Sequence, residues 1–325
     1  MNRFTIRGSE QLEAKIEADL ERIVKLVSPH GEAGILLGGY GRGEGTPFIN
    51  KDGSQSPFND YDLVVVLDTV NSAVRVRFHE LEQDVSKEIG LPVDLCPYAR
   101  HELPSKEFSL LNCEMKHGHL VLWGDDHVLD AMPGYNIDSI PKTEGLRLLL
   151  NRGKLLLDMK RRLADPTPLP EEERIRFIKF IHKVLLAFGD SALLAAGKYD
   201  ILYSVKKKRI GKIGDVPFRD AVISGYLQAI DLKEWGDYHA LQDYDIKAEF
   251  NRISDIYIAF MAWCLDRYSK RESSIPKALA LNLRWRKTTS IKHPREYLYR
   301  AIIDLLQDRS AMSHEDFYRL QRRFS

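Results

Sequence analysis

Apolar residues first recur at helical intervals at Leu12, Ile16, Leu20, Ile23, Val24 and Val27. They form a stripe along one face of a helix over 9–27, with Ser9 placed to cap it. The pattern then changes. Residues 33–37 are a short apolar run that reads as a strand, and 61–67, YDLVVVL, is a second, β-branched in its middle. Between them the polar stretch 46–58, with Pro47, Asn50, Gly53 and Pro57, reads as a loop. Helical spacing returns over 71–89 through Val74, Phe78, Leu81, Val85 and Ile89. A strand at 91–95, a helix at about 106–117 and a strand-like run at 119–124 complete this half. Helices alternating with apolar strands fold as helices packed on a sheet.

Beyond residue 140 the texture is helical throughout, with periodic segments at 143–163, 171–196, 218–230, 245–269 and 294–307. Pro166, Pro168, Pro170, Gly197, Gly211 and Gly214 mark the connectors. The chain of 325 residues is therefore expected to form two domains, 1–140 and 141–325, the second all-helical.

Charge and cysteine content narrow the setting. A formal net charge of +1 argues against a general nucleic-acid or membrane coat. No apolar run is long enough to span a bilayer. Cys96, Cys113 and Cys264 are odd in number and form no CxxC pair, as expected in a reducing compartment. With no apolar leader in the N-terminal segment, the expected location is the cytoplasm.

Two features carry chemistry. The first is LLGGYGRGEG, residues 36–45, where five glycines follow the 33–37 strand. A chain gives up side chains on this scale where its backbone turns sharply or lies close to something. Its bare amides could cradle phosphate oxygens, with Arg42 adding charge-assisted hydrogen bonds. It is not a Walker A loop, because no Gly-Lys-Ser/Thr follows, and a dinucleotide fingerprint would need a third glycine where Glu44 stands. The second is Asn59-Asp60-Tyr61-Asp62. Alternate residues of a strand share a face, so Asp60 and Asp62 point the same way and repel unless a cation joins them. Asp94, inside the apolar run LPVDL, is costly if buried alone. On a neighbouring strand it would complete a set of hard oxygen donors suited to Mg²⁺ or Mn²⁺ and to an in-line phosphoryl or nucleotidyl displacement.

Together the glycine turn, the acid-x-acid pair and the later acid resemble the nucleotidyltransferase superfamily with the DNA-polymerase-β-like catalytic fold. The string GGYGRGE is similar to that of the uridylyltransferases of bacterial nitrogen signalling. The resemblance covers roughly residues 30–125. It implies an α+β fold: a polymerase-β-like domain with a mixed sheet, followed by an all-helical domain that closes over the nucleotide. It implies that Asp60, Asp62 and Asp94 hold the metal ions, that Asp94 stands nearest the acceptor hydroxyl, and that Gly38 and Gly39 contact the phosphates, assisted by Arg42. From the helical half it makes Tyr203, Lys206 and Lys207 candidates for the triphosphate or base. The basic run Lys206–Arg209 also reads as a solvated turn or a nucleic-acid contact. The expected reaction moves NMP from an NTP, ATP by default, to an acceptor hydroxyl of a small molecule or protein, releasing pyrophosphate. The alternatives are a non-catalytic nucleotide-binding regulatory module and an RNA-directed terminal nucleotidyltransferase.

Two departures from the family stand out. Segment 46–58 lengthens the interval between turn and acids, as a mobile loop or a substrate contact. Asn59 stands where serine is common. Elsewhere, His117 and His119 lack a third ligand at useful spacing. Arg284, Trp285, Arg286 and Lys287 read as a basic helix end.

Overall fold

The computed structural model describes residues 2–241, 243–268, 275–285, 293–310 and 312–324. They fall into two compact units. The first comprises Met1–Ile140, Asp200–Val205 and Ile230–Ala240; the second comprises Pro141–Tyr199, Lys206–Ala229 and Leu241–Ser325. Two short segments expected in the helical half, 200–205 and 230–240, thus belong with the sheet-bearing unit.

The first unit is built on a mixed four-stranded sheet, the arrangement expected of an α+β chain. Its strands are β1 (Ala33–Leu36), β4 (Tyr61–Leu67), β5 (Val93–Ala99) and β6 (Leu120–Trp123), in the order β5-β4-β1-β6. β1 runs antiparallel to β4 and β6, and β4 runs parallel to β5. The parallel pair needs a crossover, which α3 (Ser72–Ile89) supplies. Asn71 caps α3 by accepting the Val74 N–H, and Gly90 ends it in the left-handed conformation. α1 (Glu10–Val27) is capped by Ser9, which accepts the Leu12 N–H. Its stripe Leu12, Ile16, Leu20, Ile23 and Val27 packs with Phe78 and Val85 of α3 on the sheet face formed by Tyr61, Leu63, Val65, Val93 and Leu95. Burying each such side chain contributes roughly 1.5–3 kcal/mol. α4 (Leu110–His117) completes the longer helices of this unit.

β5 is longer than the sequence pattern implies, and its burial alternates. Val93, Leu95 and Ala99 are buried, while Asp94 and Cys96 are exposed. Asp94 therefore escapes the cost of burial by standing on the open face. The outer edge of β5 is closed to further strands. The Val93 N–H goes to Ser86 Oγ at 2.9 Å, the Leu95 N–H goes to Glu82 Oε2 at 3.1 Å, and Pro97 has none.

Segment 46–58 is not a loop. It forms a hairpin of β2 (Pro47–Ile49) and β3 (Gln55–Pro57). The turn closes through Gly53 N–H to Asn50 O (2.9 Å), and Asp52 accepts from Ser54 N–H and Oγ–H. Aromatic packing holds the hairpin: Phe48 on Phe58 (5.0 Å between centroids), Phe58 on Tyr238 (4.7 Å), and Ile49 N–H to Gly236 O (3.2 Å). The segment's polar composition hid the two phenylalanines that anchor it.

The second unit is helical among its described residues. It contains α5 (Thr143–Leu163), α6 (Glu171–Ala195), α9 (Ile246–Tyr268), α10 (Ile275–Trp285), α11 (Pro294–Leu306) and α12 (His314–Phe324). α7 (Tyr203–Arg209) and α8 (Arg219–Trp235) divide their residues between the units. α7, α10 and α12 add to the helices read from the sequence, and α8 runs past the expected end at 230. In this unit Lys160 Nζ caps the end of α11 by donating to Leu305 O and Leu306 O, both at 2.8 Å. No described helix is long and apolar enough to cross a membrane.

Candidate active site

The register of the sheet assembles the acids. Asp62 and Asp94 are direct partners in the parallel β4–β5 ladder, and the Tyr61 N–H to Pro92 O bond (2.9 Å) starts that ladder at its near end. Asp60 precedes Asp62 by one strand period. Each of the three offers a carboxylate oxygen within 4.8 Å of the others. Asp60 and Asp62 are half-buried and Asp94 is exposed. Two unit charges at that separation repel by on the order of 1–3 kcal/mol in a solvent-facing site. The donor set fits a hard divalent cation: all three ligands are carboxylate oxygens, and Mg²⁺ or Mn²⁺ takes such oxygens at about 2.1 Å.

Asn59, just before the first acid, has φ 81°, in the left-handed region. Its Oδ1 is buried without a hydrogen-bond donor among the described residues. Asparagine bears this conformation better than other side chains, though at a cost. Asn59→Gly is expected to leave stability intact, whereas Asn59→Ala costs about 1–2 kcal/mol in chemical denaturation.

The glycine turn stands directly beside the acids. It forms a single helical turn, α2 (Gly38–Gly41). The Leu37 N–H donates to Asp62 O at 2.8 Å, tying the entry of the turn to the strand that carries the acid pair. Gly38 has φ +65°, and a Cβ there would stand 2.8 Å from Asp62 Oδ2. On Gly39 a Cβ would meet Glu44 O at 2.9 Å and Lys233 Nζ at 3.1 Å. What comes close to this glycine-rich stretch thus includes an acid of the triad on one side and an ammonium on the other.

The expected phosphate contacts divide. Gly38, Gly39 and Tyr203 lie in one unit, and Tyr203 reaches the turn through its N–H, which donates to Glu44 Oε1 at 2.8 Å. The Arg42 side chain is only 8% exposed and faces Glu44 (3.9 Å) and Glu114 (3.7 Å), its methylenes lying where a Gly118 Cβ would stand. Lys206 is likewise enclosed, at 1% exposure. Its ammonium is 3.1 Å from Asp190 Oδ1, which also accepts the Tyr226 hydroxyl at 2.5 Å, and it lies 4.6 Å from the Tyr199 ring centre. Lys207 is half-buried on α7.

Two residues join the site that sequence reasoning did not single out. Glu44 is 6% exposed and binds the turn to Tyr203. Lys233, on α8, donates to Thr46 Oγ1 (3.1 Å) and lies 5.6 Å from the Tyr203 ring centre. No local signal marks Lys233. It reaches the turn because α8 continues to Trp235. His117 Nε2–H donates to Tyr135 O at 2.8 Å, and burial lowers the pKa of His119; neither belongs to a metal cluster among the described residues. Of the basic cluster at 284–287, Arg286 and Lys287 lie outside the described residues.

No protein-family model matches the chain, and no curated protein matches it in sequence. In structure it is similar to spectinomycin adenyltransferase AAD(9) from Enterococcus faecialis, solved with ATP and spectinomycin. The two share 11% identity over 75% of this chain and 98% of that one, with a TM-score of 0.45. The functional reading therefore rests on the residues of the site themselves.

Proposed function

We propose that this chain is a metal-dependent nucleotidyltransferase that moves NMP, AMP by default, from an NTP to an acceptor hydroxyl of a small molecule or protein. The observation that carries this reading is the convergence of three carboxylates within 4.8 Å of one another with a glycine turn set directly against one of them. An acidic triad alone is a surface feature. A triad abutting a side-chain-free backbone turn, with a lysine on the far side of that turn, has the parts for both ends of a nucleoside triphosphate.

Asp60, Asp62 and Asp94 would hold Mg²⁺ or Mn²⁺, which supplies charge neutralisation at the phosphates and a lower pKa at the attacking hydroxyl. The first N–H groups of α2 have no intrahelical acceptor, and so can donate to phosphate oxygens. Lys233 adds a fixed positive charge beside Gly39. The ring of Tyr203, next to Lys233, forms part of the same wall. Asp94, exposed on β5, would take the acceptor proton. The acceptor oxygen attacks the α-phosphorus, the α–β bridging P–O bond breaks, and its electron pair leaves with pyrophosphate. The three cysteines are unpaired, which suits action in the cytoplasm.

Calorimetric titration with Mn²⁺ tests the reading at the level of binding. The wild type is expected to bind Mn²⁺ more tightly when an NTP is present, and Asp62→Asn to lose that binding. Lys233→Met is expected to keep Mn²⁺ binding and weaken NTP binding about tenfold or more, the worth of one charge-assisted contact. Equal Mn²⁺ binding by wild type and Asp62→Asn would remove the triad from the site.

A further inference from the structure

We infer that Glu44 is a positioning residue, locking the Tyr203 segment to the glycine turn so that the two sides of the triphosphate site keep a fixed spacing. The inference rests on the nucleotidyltransferase reading.

Glu44 grips both elements. Its main-chain N–H donates to Gly39 O at 2.7 Å, and its carbonyl lies 2.9 Å from where a Gly39 Cβ would be. Its side chain, 6% exposed, reaches the other way and accepts the Tyr203 N–H at 2.8 Å through Oε1. Its second oxygen, Oε2, is 3.9 Å from Arg42 Nε, and the Arg42 guanidinium also faces Glu114 at 3.7 Å. An ionised carboxylate accepts an N–H more strongly than a neutral oxygen does.

What the clamp holds in place is functional. Tyr203 is 159 residues from Glu44 in sequence, so nothing local brings them together. Lys233 sits in the space they define: 3.1 Å from the Gly39 Cβ position, 5.6 Å from the Tyr203 ring centre, and bonded to Thr46 two residues past Glu44. Losing the Glu44–Tyr203 bond frees one wall, and Lys233 loses the aromatic face that fixes its ammonium over the turn. Arg42 acquires a role on the same grounds. It orients Glu44 from behind.

The test compares Mg²⁺–ATP affinity, and that of the other three NTPs, with thermal stability in Glu44→Ala, Glu44→Gln, Tyr203→Ala and Tyr203→Pro. Glu44→Gln keeps an oxygen that can accept the Tyr203 N–H, and is expected to bind within about threefold of wild type. Glu44→Ala is expected to bind about tenfold more weakly at temperatures where it is fully folded. Tyr203 is the first residue of α7, where proline is tolerated. Tyr203→Pro therefore deletes the N–H donor, and is expected to bind about tenfold more weakly than Tyr203→Ala, which keeps it. If Glu44→Ala fails to fold, the Tyr203 pair decides. Wild-type affinity in folded Glu44→Ala, or equal affinity in the two Tyr203 variants, overturns the inference and leaves the nucleotidyltransferase reading standing. A wild type that binds none of the four nucleotides with Mg²⁺ or Mn²⁺ overturns both.

Discussion

Asp60→Asn combined with Asp62→Asn is expected to abolish metal-dependent nucleotidyl transfer, by at least about a thousandfold, while the chain stays folded. The two side chains share the face that Asp94 joins through the ladder, and their oxygens lie within 4.8 Å of each other and of Asp94. Amides keep the shape and most of the hydrogen-bonding capacity but supply no charge to hold a divalent ion. Removing two negative charges from a crowded cluster also relieves repulsion on the order of 1–3 kcal/mol. Thermal unfolding should therefore show a midpoint equal to the wild type's or a few degrees above it. A variant that unfolds would assign the acids a structural role, and one that keeps its metal-dependent rate would assign the reaction elsewhere.

Gly41→Ala is expected to have the second-largest effect, on stability and activity together. A Cβ on Gly41 would stand 2.3 Å from Leu36 O and 2.8 Å from Leu36 C, both main-chain atoms. Leu36 is held on both sides, by Leu63 of β4 and Leu120 of β6, so it has little freedom to retreat. Overpacking against a fixed backbone costs about 1–3 kcal/mol or more. The turn is expected to shift rather than the strand, carrying Gly38 and Gly39 away from Asp62 and Lys233. Gly134→Ala is the control, since a Cβ there meets nothing within 4 Å; its expected change is under about 0.5 kcal/mol. Denaturant titration of the two variants checks the contrast, and equal midpoints would mean that the turn yields more easily than its packing indicates.

Much of the fold could be read from residue spacing because its elements are strongly patterned. α1 carries an apolar residue every third or fourth position behind a serine cap, and β4 has the β-branched run Val64-Val65-Val66 in its middle. The hairpin at 47–57 escaped because strands of three residues carry no usable period, and its anchors, Phe48 and Phe58, pack on Tyr238 far along the chain. α7 escaped because a helix of seven residues with four consecutive basic side chains looks like a solvated connector. At the site, alternation along β4 placed Asp60 and Asp62 on one face. The partner position of Asp94 follows from a parallel pairing that α3 makes possible and that no local pattern states. The cations show the opposite limit. Residue type says that Arg42 and Lys206 are charged, but the direction of a long side chain is set by tertiary neighbours. Here those neighbours are Glu44, Glu114 and Asp190. Lys233 reached the turn with no motif at all.

Label transfer tests the central claim most directly. The protein is incubated with each of the four α-labelled NTPs and Mg²⁺ or Mn²⁺, with and without a cell extract, beside the Asp60→Asn/Asp62→Asn variant. The account predicts that the wild type alone moves label from one NTP to an extract component and releases unlabelled pyrophosphate. Protease or nuclease sensitivity of the product then separates a small-molecule or protein acceptor from an RNA end. Equal labelling by wild type and variant, or no labelling with any NTP and either metal across extracts, would contradict it.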